Sequence, residues 1–482
     1  MHWRRPHRLA VFAFCATGLA ALTASAMVGN LFRAPDPTGE TATYHTGGPL
    51  DTRGPFFQSL GTNGRSCATC HTLNAAMGLS TADIQARFAA SHGADPLFAE
   101  VDGSNCRGAA RDDASAHSLL LQNGLIRVGM PVPAGAQFTI QAVYDPYGCA
   151  DAADPSTGVR TISVYRRPLP STNLRFLSAV MFDARETVAP LNDPNTFEAN
   201  LTTDLRHQAI DATLGHAQAA AAPSERQLES IVRFELNLYS AQYRDRAAGL
   251  LRDRGVQGGP IPLASQPYYP GINDPLGGNP TGAPFDPQAF SIFSRWADIG
   301  SAVRERGAAR KAAIAAGETI FDTFPLTITG VAGLNDSLGQ PAIPGTCTTC
   351  HDAPNVGDHS MPVPLDIGVA HSTSFESDPH VAAALGELSE PDLPIFKVTC
   401  TAVAPEQTFY TTDPGRALVT GHCADLTRVK GPILRGLAAR APYFHNGSAA
   451  TLEAVVDFYN ERFQMNLSDT EKAQLVAFLQ SL

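Results

Sequence analysis

The order of apolar and polar residues along the chain predicts a fold built mainly from helices. Apolar side chains recur at helical spacing, with few helix-breaking residues, over 81–90, 224–243, 303–321 and 468–482. The last of these begins with a Ser-Asp pair, which is typical of a helix N-terminus. Residues 125–170 are instead rich in Val, Thr, Ile and Tyr between turn residues, which predicts a small β excursion. We therefore expect a mainly α protein with long loops.

Composition narrows the class of protein. The chain has 482 residues, of which 44% are hydrophobic, enough to bury a core in more than one domain. The formal net charge of −11 disfavours a general nucleic-acid binder, so we expect no nucleic acid among its partners. A long apolar run occurs only at the N-terminus, which excludes a polytopic membrane protein.

The N-terminus has the pattern of an export signal. Arg4, Arg5 and Arg8 precede an apolar run over 9–22, and small residues follow, ending at Ala26. This order predicts a secretory signal peptide that is cleaved after Ala26. A retained membrane anchor is the alternative, because the run approaches the length of a spanning helix. We expect the rest of the chain to lie in the periplasm, where disulfides persist.

Two CxxCH motifs supply the strongest chemical signal. They read CATCH at 67–71 and CTTCH at 347–351. In this spacing the two thiols add to the vinyl groups of a haem, and the His that follows becomes an axial ligand of its iron. A thioredoxin-like CxxC does not require the His, and a zinc site would need a further Cys or His pair nearby. The sequence thus predicts two covalently bound haem c groups. The residues predicted to hold them are Cys67, Cys70, His71, Cys347, Cys350 and His351.

Four further cysteines follow the N-terminal segment, namely Cys106, Cys149, Cys400 and Cys423. They allow three pairings. Proximity in the chain favours Cys106 with Cys149 and Cys400 with Cys423, and disulfides are stable outside the cytoplasm. Four buried free thiols are the alternative.

A run of motifs in the C-terminal half resembles a known family. TDPGRALVTG at 412–421 and KGPILR at 430–435 lead into APYFHNGS at 441–448 and TLEAVVDFYN at 451–460. FLSAVMFDARE at 176–186 is similar to the segment that the family has between its haems. Together with the two haem motifs, this order resembles the bacterial di-haem cytochrome c peroxidase / MauG family. The resemblance implies two cytochrome c-like haem domains in one exported chain.

The haem motifs and a stretch crowded with Gly and Pro divide the chain into four predicted segments. A signal peptide is followed by a haem domain on the substrate side, a connector and a haem domain where electrons enter. Their predicted bounds are 1–26 for the signal peptide, 27–254 for the N-terminal haem domain, 255–302 for the Pro/Gly-rich connector and 303–482 for the C-terminal cytochrome c domain.

The resemblance implies roles for residues around the second haem. Aligning the PYFHNG run places Tyr459 on the far side of this haem, where family members have a Met or a Tyr. A Tyr oxygen is a hard anionic ligand that favours ferric iron. Met465 and Met361 are alternative ligands.

The resemblance also implies groups between the haem domains. His445 corresponds to a residue near the haem propionates. The backbone carbonyls of Arg440 and Pro442 correspond to positions that contribute to a calcium ion, and carbonyl oxygens suit this hard cation. Phe182 stands where family members have a Trp between the haems, and Phe is not readily oxidised.

Around the first haem the sequence departs from the family pattern. Gln208 and Ala209 match the family's Gln-Ala pair, but Gln218 stands where the family has a distal Glu that moves protons while peroxide is cleaved. His216, two residues earlier, is a candidate distal base or sixth ligand, and His92 is a further candidate ligand. Gln208, His216 and Gln218 are therefore the candidate catalytic residues.

The resemblance implies that hydrogen peroxide is reduced at the first haem. Electrons would arrive through the second haem from a small cytochrome c or a cupredoxin. A MauG-like or rubber-oxygenase-like oxidase of a protein or organic substrate is the alternative, and a plain di-haem electron carrier is a third. Family members are often dimers, so the resemblance is compatible with a homodimer.

Overall fold

The structure is a computed structural model. It describes residues 27–153, 158–297, 307–402 and 405–482. The predicted signal peptide lies outside the described residues, as does the start of the helix predicted at 303–321. Within the described residues, every helix is too short or too polar to cross a bilayer.

Three of the four predicted helices are confirmed close to their expected positions, namely α1, α7 and α12. The fourth is confirmed only for its first part, which is α5, and α4 was not predicted. The helices of the described residues are α1 (Thr81–Ser91), α2 (Glu100–Gly103), α3 (Ser118–Asn123), α4 (Phe197–Gly215), α5 (Glu225–Leu236), α6 (Pro260–Leu263), α7 (Ala308–Thr323), α8 (Asn335–Leu338), α9 (Pro379–Gly386), α10 (Ala417–Thr420), α11 (Leu452–Arg462) and α12 (Asp469–Leu479).

Strands are more numerous than the sequence predicted. Those of the described residues are β1 (Met27–Val28), β2 (Leu31–Pro35), β3 (Gly39–His45), β4 (Leu50–Asp51), β5 (Ile126–Pro131), β6 (Phe138–Tyr144), β7 (Asp151–Ala153), β8 (Arg160–Arg166), β9 (Leu238–Asp245), β10 (Gly249–Leu250), β11 (Leu326–Thr329), β12 (Ala342–Gly345), β13 (Ile395–Cys400) and β14 (Gln407–Thr411). They form sheets in the orders β10-β9-β3-β2, β14-β13-β6 and β5-β8-β7, and the pairs β1-β4 and β11-β12.

The expected mainly α fold is therefore only partly right. The predicted β excursion at 125–170 is present as β5 to β8, but one of its strands pairs outside it. β6 pairs antiparallel with β13, with Ile140 opposite Val398. Both side chains are buried, so this sheet joins the N-terminal and C-terminal halves through a shared apolar cluster.

The helix predicted at 224–243 is wrong in its second part. α5 ends at Leu236, and β9 follows after Asn237. Beyond Asn237, apolar Tyr239, Ala241 and Tyr243 alternate with polar residues, which suits a strand. β9 pairs with β3, with Ala241 opposite Ala42. Tertiary pairing thus decides the structure of a segment whose apolar pattern was compatible with a helix.

The C-terminal core forms where α7 packs on α12. Gly317 of α7 allows the close approach, because a Cβ there would lie 2.0 Å from the carbonyl oxygen of Gln474. Phe293 and Trp296, from the predicted connector, are fully buried in the same core and stack with ring centroids 5.4 Å apart. This core holds α7 just before the second haem motif.

Both expected disulfides are present. Cys106 pairs with Cys149, and Cys400 pairs with Cys423, with Cα separations of 6.0 and 5.9 Å. The second bond ties the end of β13 to the segment that precedes the KGPILR run. Each bond therefore fixes loops beside the sheets.

Candidate haem sites

The first CxxCH motif folds as a tight 3-10 turn, Cys67–Thr69, that begins after Ser66. The peptide N–H of His71 donates to the carbonyl oxygen of Cys67 at 3.0 Å. The His71 ring is oriented by its Nδ1, which donates to the Met77 carbonyl oxygen at 3.3 Å. This leaves Nε2 as the free lone pair, and burial lowers the pKa of His71 to about 4, which favours the neutral ring that binds iron.

The second motif repeats this geometry. Cys347–Thr349 form a 3-10 turn after Thr346, and the peptide N–H of His351 donates to the Cys347 carbonyl oxygen at 3.1 Å. Nδ1 of His351 donates to the carbonyl oxygen of Gly357 at 2.7 Å. In both motifs the carbonyl six residues after the His sets its tautomer. His71 and His351 are therefore oriented in the same way, each with Nε2 free to bind iron.

A single continuous cavity is lined by both motifs. Its walls are mostly apolar, and the four motif cysteines on them carry no disulfide. Such a cavity suits a pair of haems, since each needs two thiols, an axial His and an apolar enclosure.

Basic groups on the cavity wall fit the anionic propionates of haem. Lys430 and Arg440 line it, whereas the guanidinium groups of Arg65 and Arg167, also on the wall, are already hydrogen-bonded within the protein. Nη1 of Arg440 is buried without a hydrogen-bond partner among the described residues, and so is Nε2 of His445. Buried polar atoms of this kind normally have partners, and propionate oxygens would supply them. The residues present therefore fit two haem c groups.

His216 lies on the cavity wall near the first motif, at the C-terminal end of α4. Its Nδ1 and Oδ2 of Asp102 are 2.6 Å apart. The same carboxylate oxygen accepts from Nη1 of Arg65 at 3.1 Å. The three side chains form a His-Asp-Arg cluster beside the haem that His71 would hold.

The charges of this cluster shift its pKa values. Asp102, chiefly through its charge, raises the pKa of His216 above its ordinary value. Burial acts to raise the pKa of Asp102, but the charge of His216, the hydrogen bond from it and the charge of Arg65 outweigh burial and lower that pKa. Asp102 thus remains a carboxylate that orients the His216 ring and stabilises its protonated form.

The other residues predicted for the first haem differ in whether they line the cavity. Gln208 lines the cavity about two helical turns before His216, on α4. The Gln218 side chain is exposed and accepts from Nδ2 of Asn63 at 3.3 Å, outside the cavity wall. His92 is exposed at the C-terminal end of α1 and is also outside that wall. Of the candidates, Gln208 and His216 are brought to the cavity.

Around the second motif, two of the three candidate ligands reach the cavity. Tyr459 of α11 and Met465 just after it line the wall, whereas Met361 does not. Phe463 stacks on the Tyr459 ring with centroids 6.2 Å apart. Tyr459 and Met465 remain the candidate ligands opposite His351.

Phe182 and His445 face each other on the wall of this cavity, with ring centroids 6.0 Å apart. The peptide N–H of Lys430 donates to the Phe182 carbonyl oxygen at 2.7 Å, which joins the FLSAVMFDARE segment to the KGPILR run. Trp296 is fully buried in the C-terminal core and does not line the cavity.

Two residues of the cavity wall, Asp102 and Glu235, were not predicted from the sequence. Asp102 lies 114 positions from His216 and had no local motif. Glu235 lines the cavity, accepts from the Ser171 hydroxyl at 2.6 Å, and has a raised pKa of about 7 because it is buried. A signal for Glu235 did exist, since it falls on the apolar face of α5 with Leu228 and Ile231.

Known proteins match parts of this chain. A family model described as RoxA-like, cytochrome c-like matches residues 430–465. Cytochrome-c peroxidase IdrP2 of Denitromonas iodatirespirans is 33% identical over 147 residues, which are 29% of this chain and 36% of that protein. Cytochrome c551 peroxidase of Nitrosomonas europaea is 44% identical over 70 residues, which are 14% of this chain and 21% of that protein. The matches thus cover about a third of the first relative and a fifth of the second.

Among solved structures, a MauG-like protein associated with microbial copper homeostasis aligns with 68% of this chain and 77% of its own, at a TM-score of 0.27 and 15% identity. The cytochrome-c peroxidase matches agree with the resemblance carried by the two CxxCH motifs and the APYFHNGS run. In its two CxxCH motifs and in these partial matches, the chain is similar to the bacterial di-haem cytochrome c peroxidase / MauG family.

Proposed function

We propose that this chain is an exported, periplasmic di-haem c-type oxidoreductase that reduces hydrogen peroxide at its N-terminal haem. Electrons would pass through the C-terminal haem from a small cytochrome c or cupredoxin. The observation that carries the proposal is the His216–Asp102 pair on the wall of a cavity that both CxxCH motifs line. This pair supplies the acid–base group that the family Glu would otherwise provide.

Peroxide reduction consumes two electrons and two protons and yields two water molecules. The haem irons supply the redox centres for the two electrons. His216 takes a proton from the peroxide oxygen nearer the first haem and returns it to the departing oxygen, while Asp102 stabilises the charged ring between these steps. The Gln208 amide on the same wall can hold peroxide by hydrogen bonds but cannot accept a proton.

The proposed electron path uses the C-terminal half. His351 would hold the entry haem, with Tyr459 or Met465 opposite it. Phe182 and His445 lie on the shared wall, and Phe182 would give electrons passing between the haems no redox-active side chain at that position. The segments 27–254 and 303–482 remain the proposed substrate and electron-entry domains.

Oxidation of a protein or organic substrate is a second candidate function. It is favoured by Tyr459 on the wall of the second haem site, because a phenolate ligand lowers the potential of haem relative to Met. It differs from peroxide reduction in its product, because here the protein or organic substrate is itself the molecule that is chemically changed by oxidation.

The purified holoprotein, given peroxide and a reduced small cytochrome c, should oxidise that donor at two equivalents per peroxide. Its electron paramagnetic resonance spectrum should contain one high-spin or openable haem. Two low-spin haems that bind neither cyanide nor carbon monoxide would instead identify an electron carrier. Ligand binding at the first haem without donor-dependent turnover would favour the second candidate.

Asp102→Asn is expected to move the acid limb of the pH profile of kcat/KM to lower pH. The charge of Asp102 is the largest cause that raises the pKa of His216, so its removal lowers that pKa. Because neutral His216 accepts the proton, the variant retains its base form at lower pH but with weaker orientation and a lower maximum rate. Profiles between about pH 4 and 8 measure the limb.

Asp211→Asn is the matched control, since Asp211 is exposed on α4 and the carboxylate that chiefly shifts the pKa of His216 is that of Asp102. Its acid limb should coincide with that of the wild type. If the acid limb of the Asp102→Asn profile stays in place or moves to higher pH, His216 is not the group whose titration sets that limb.

A further inference from the structure

The Arg167 guanidinium lies between the two halves of the chain, in a ring of backbone carbonyls. Nη2 donates to the Leu79 oxygen at 2.5 Å and to the Arg440 oxygen at 3.0 Å. Nη1 donates to the Gly124 oxygen at 3.2 Å and to the Asn123 oxygen at 3.4 Å. One cation thus joins α3 and the first haem motif's loop to the APYFHNGS region.

Arg167 is buried and bound without a carboxylate. It is 7% exposed, and within the described residues it forms no ion pair with Asp or Glu. Its peptide N–H donates to the His445 carbonyl oxygen, at 2.7 Å. Burial lowers the pKa of Arg167 to about 10, which leaves it charged at neutral pH. A buried cation surrounded by carbonyl oxygens has the surroundings that a bound metal ion would have.

The ring of carbonyls is shaped for this side chain. Gly124 ends α3 with φ +63°, and a Cβ added there would lie 1.7 Å from Nη1 of Arg167. Only glycine therefore combines this backbone conformation with room for the guanidinium. The fit is specific to an arginine at 167 beside a glycine at 124.

A calcium ion does not fit the same carbonyls. The Arg440 carbonyl, which the family resemblance assigned to calcium, already accepts from Arg167. A divalent ion on that oxygen would lie close to the guanidinium and to the buried Arg440 side chain. Like charges at such distances in a buried site repel strongly, and calcium needs six to eight oxygen ligands.

We propose that the Arg167 guanidinium is the resident cation of this junction and takes the place of calcium. The two halves of the cavity wall are then held together by hydrogen bonds that no chelator can remove. The expected calcium site at Arg440 and Pro442 is accordingly replaced by a side chain of the protein itself. This inference does not rest on the proposed peroxidase activity.

The first test needs no variant. Wild-type holoprotein is analysed for bound calcium, and its thermal midpoint and haem spectrum are compared in EGTA and in calcium chloride. We expect no stoichiometric calcium and the same midpoint and spectrum in both. One calcium per chain, whose removal by EGTA lowers the midpoint, would overturn the proposal.

Variants then test the guanidinium directly. Arg167→Met removes the charge but retains the length, and Gly124→Ala displaces the guanidinium without deleting it. Each should lower the thermal midpoint of the holoprotein by about 5 °C or more. Arg53→Gln is the control, because the Arg53 side chain is 64% exposed, and its midpoint should stay within about 1 °C of wild type. Midpoints of Arg167→Met and Gly124→Ala that match this control would overturn the proposal, even if the wild type lacks calcium.

Discussion

Replacing His216 with alanine is expected to slow peroxide reduction about a hundred- to ten-thousand-fold, the range that one positioned acid–base group contributes. His216 is the titratable side chain on the cavity wall that Asp102 both charges and orients, at 2.6 Å. Without it, Gln208 can still bind peroxide, but the acid–base pair of His216 and Asp102 is lost. The loss should appear in kcat/KM for peroxide, with both haems still attached.

Gln218→Ala is the matched control for this loss. It alters the residue that the family pattern would place at the distal carboxylate, but its side chain is exposed and lies outside the cavity wall. Its rate should stay close to that of the wild type. A faster His216→Ala enzyme, with a haem that changes from low to high spin, would mean that His216 is an iron ligand and not the base.

Sequence motifs predicted the parts of the site whose chemistry is local. The spacing of CxxCH fixes the two thiols and the His within one turn, so Cys67 and His71 could be assigned from five residues. The order of motifs after 412 predicted the family, and proximity in the chain predicted Cys400 with Cys423. Each of these relations depends on neighbours along the chain, which a sequence displays directly.

Relations that depend on distant neighbours could not be predicted in the same way. Asp102 acts on a histidine 114 residues later, and Arg167 binds the carbonyl of a residue 273 positions later. Backbone carbonyls have no residue signature, so a calcium site assigned to Arg440 by resemblance could not reveal the guanidinium that donates to that carbonyl. The pairing of β6 with β13 is of the same kind, and it explains why the fold contains more sheet than expected.

Replacing His351 with glycine is expected to abolish peroxide reduction by an external donor. His351 is oriented by the Gly357 carbonyl at 2.7 Å and would be the axial ligand of the entry haem. Its loss changes the potential and coordination of that haem, so the donor can no longer deliver electrons through it. Donor oxidation should fall to the background rate, while the first haem motif and the His216–Asp102 pair are unaltered.

Two further measurements separate the electron relay from damage to the first haem. Haem content shows whether the second haem is still attached, and His422→Gly is the control, because the side chain of His422 is 62% exposed. The His351→Gly protein is then reduced chemically and given peroxide in a single turnover. If the relay is correct, the first haem still reduces peroxide in this turnover although the donor reaction is lost. Full turnover with the donor would eliminate the relay, because electrons would then enter at the first haem without the second.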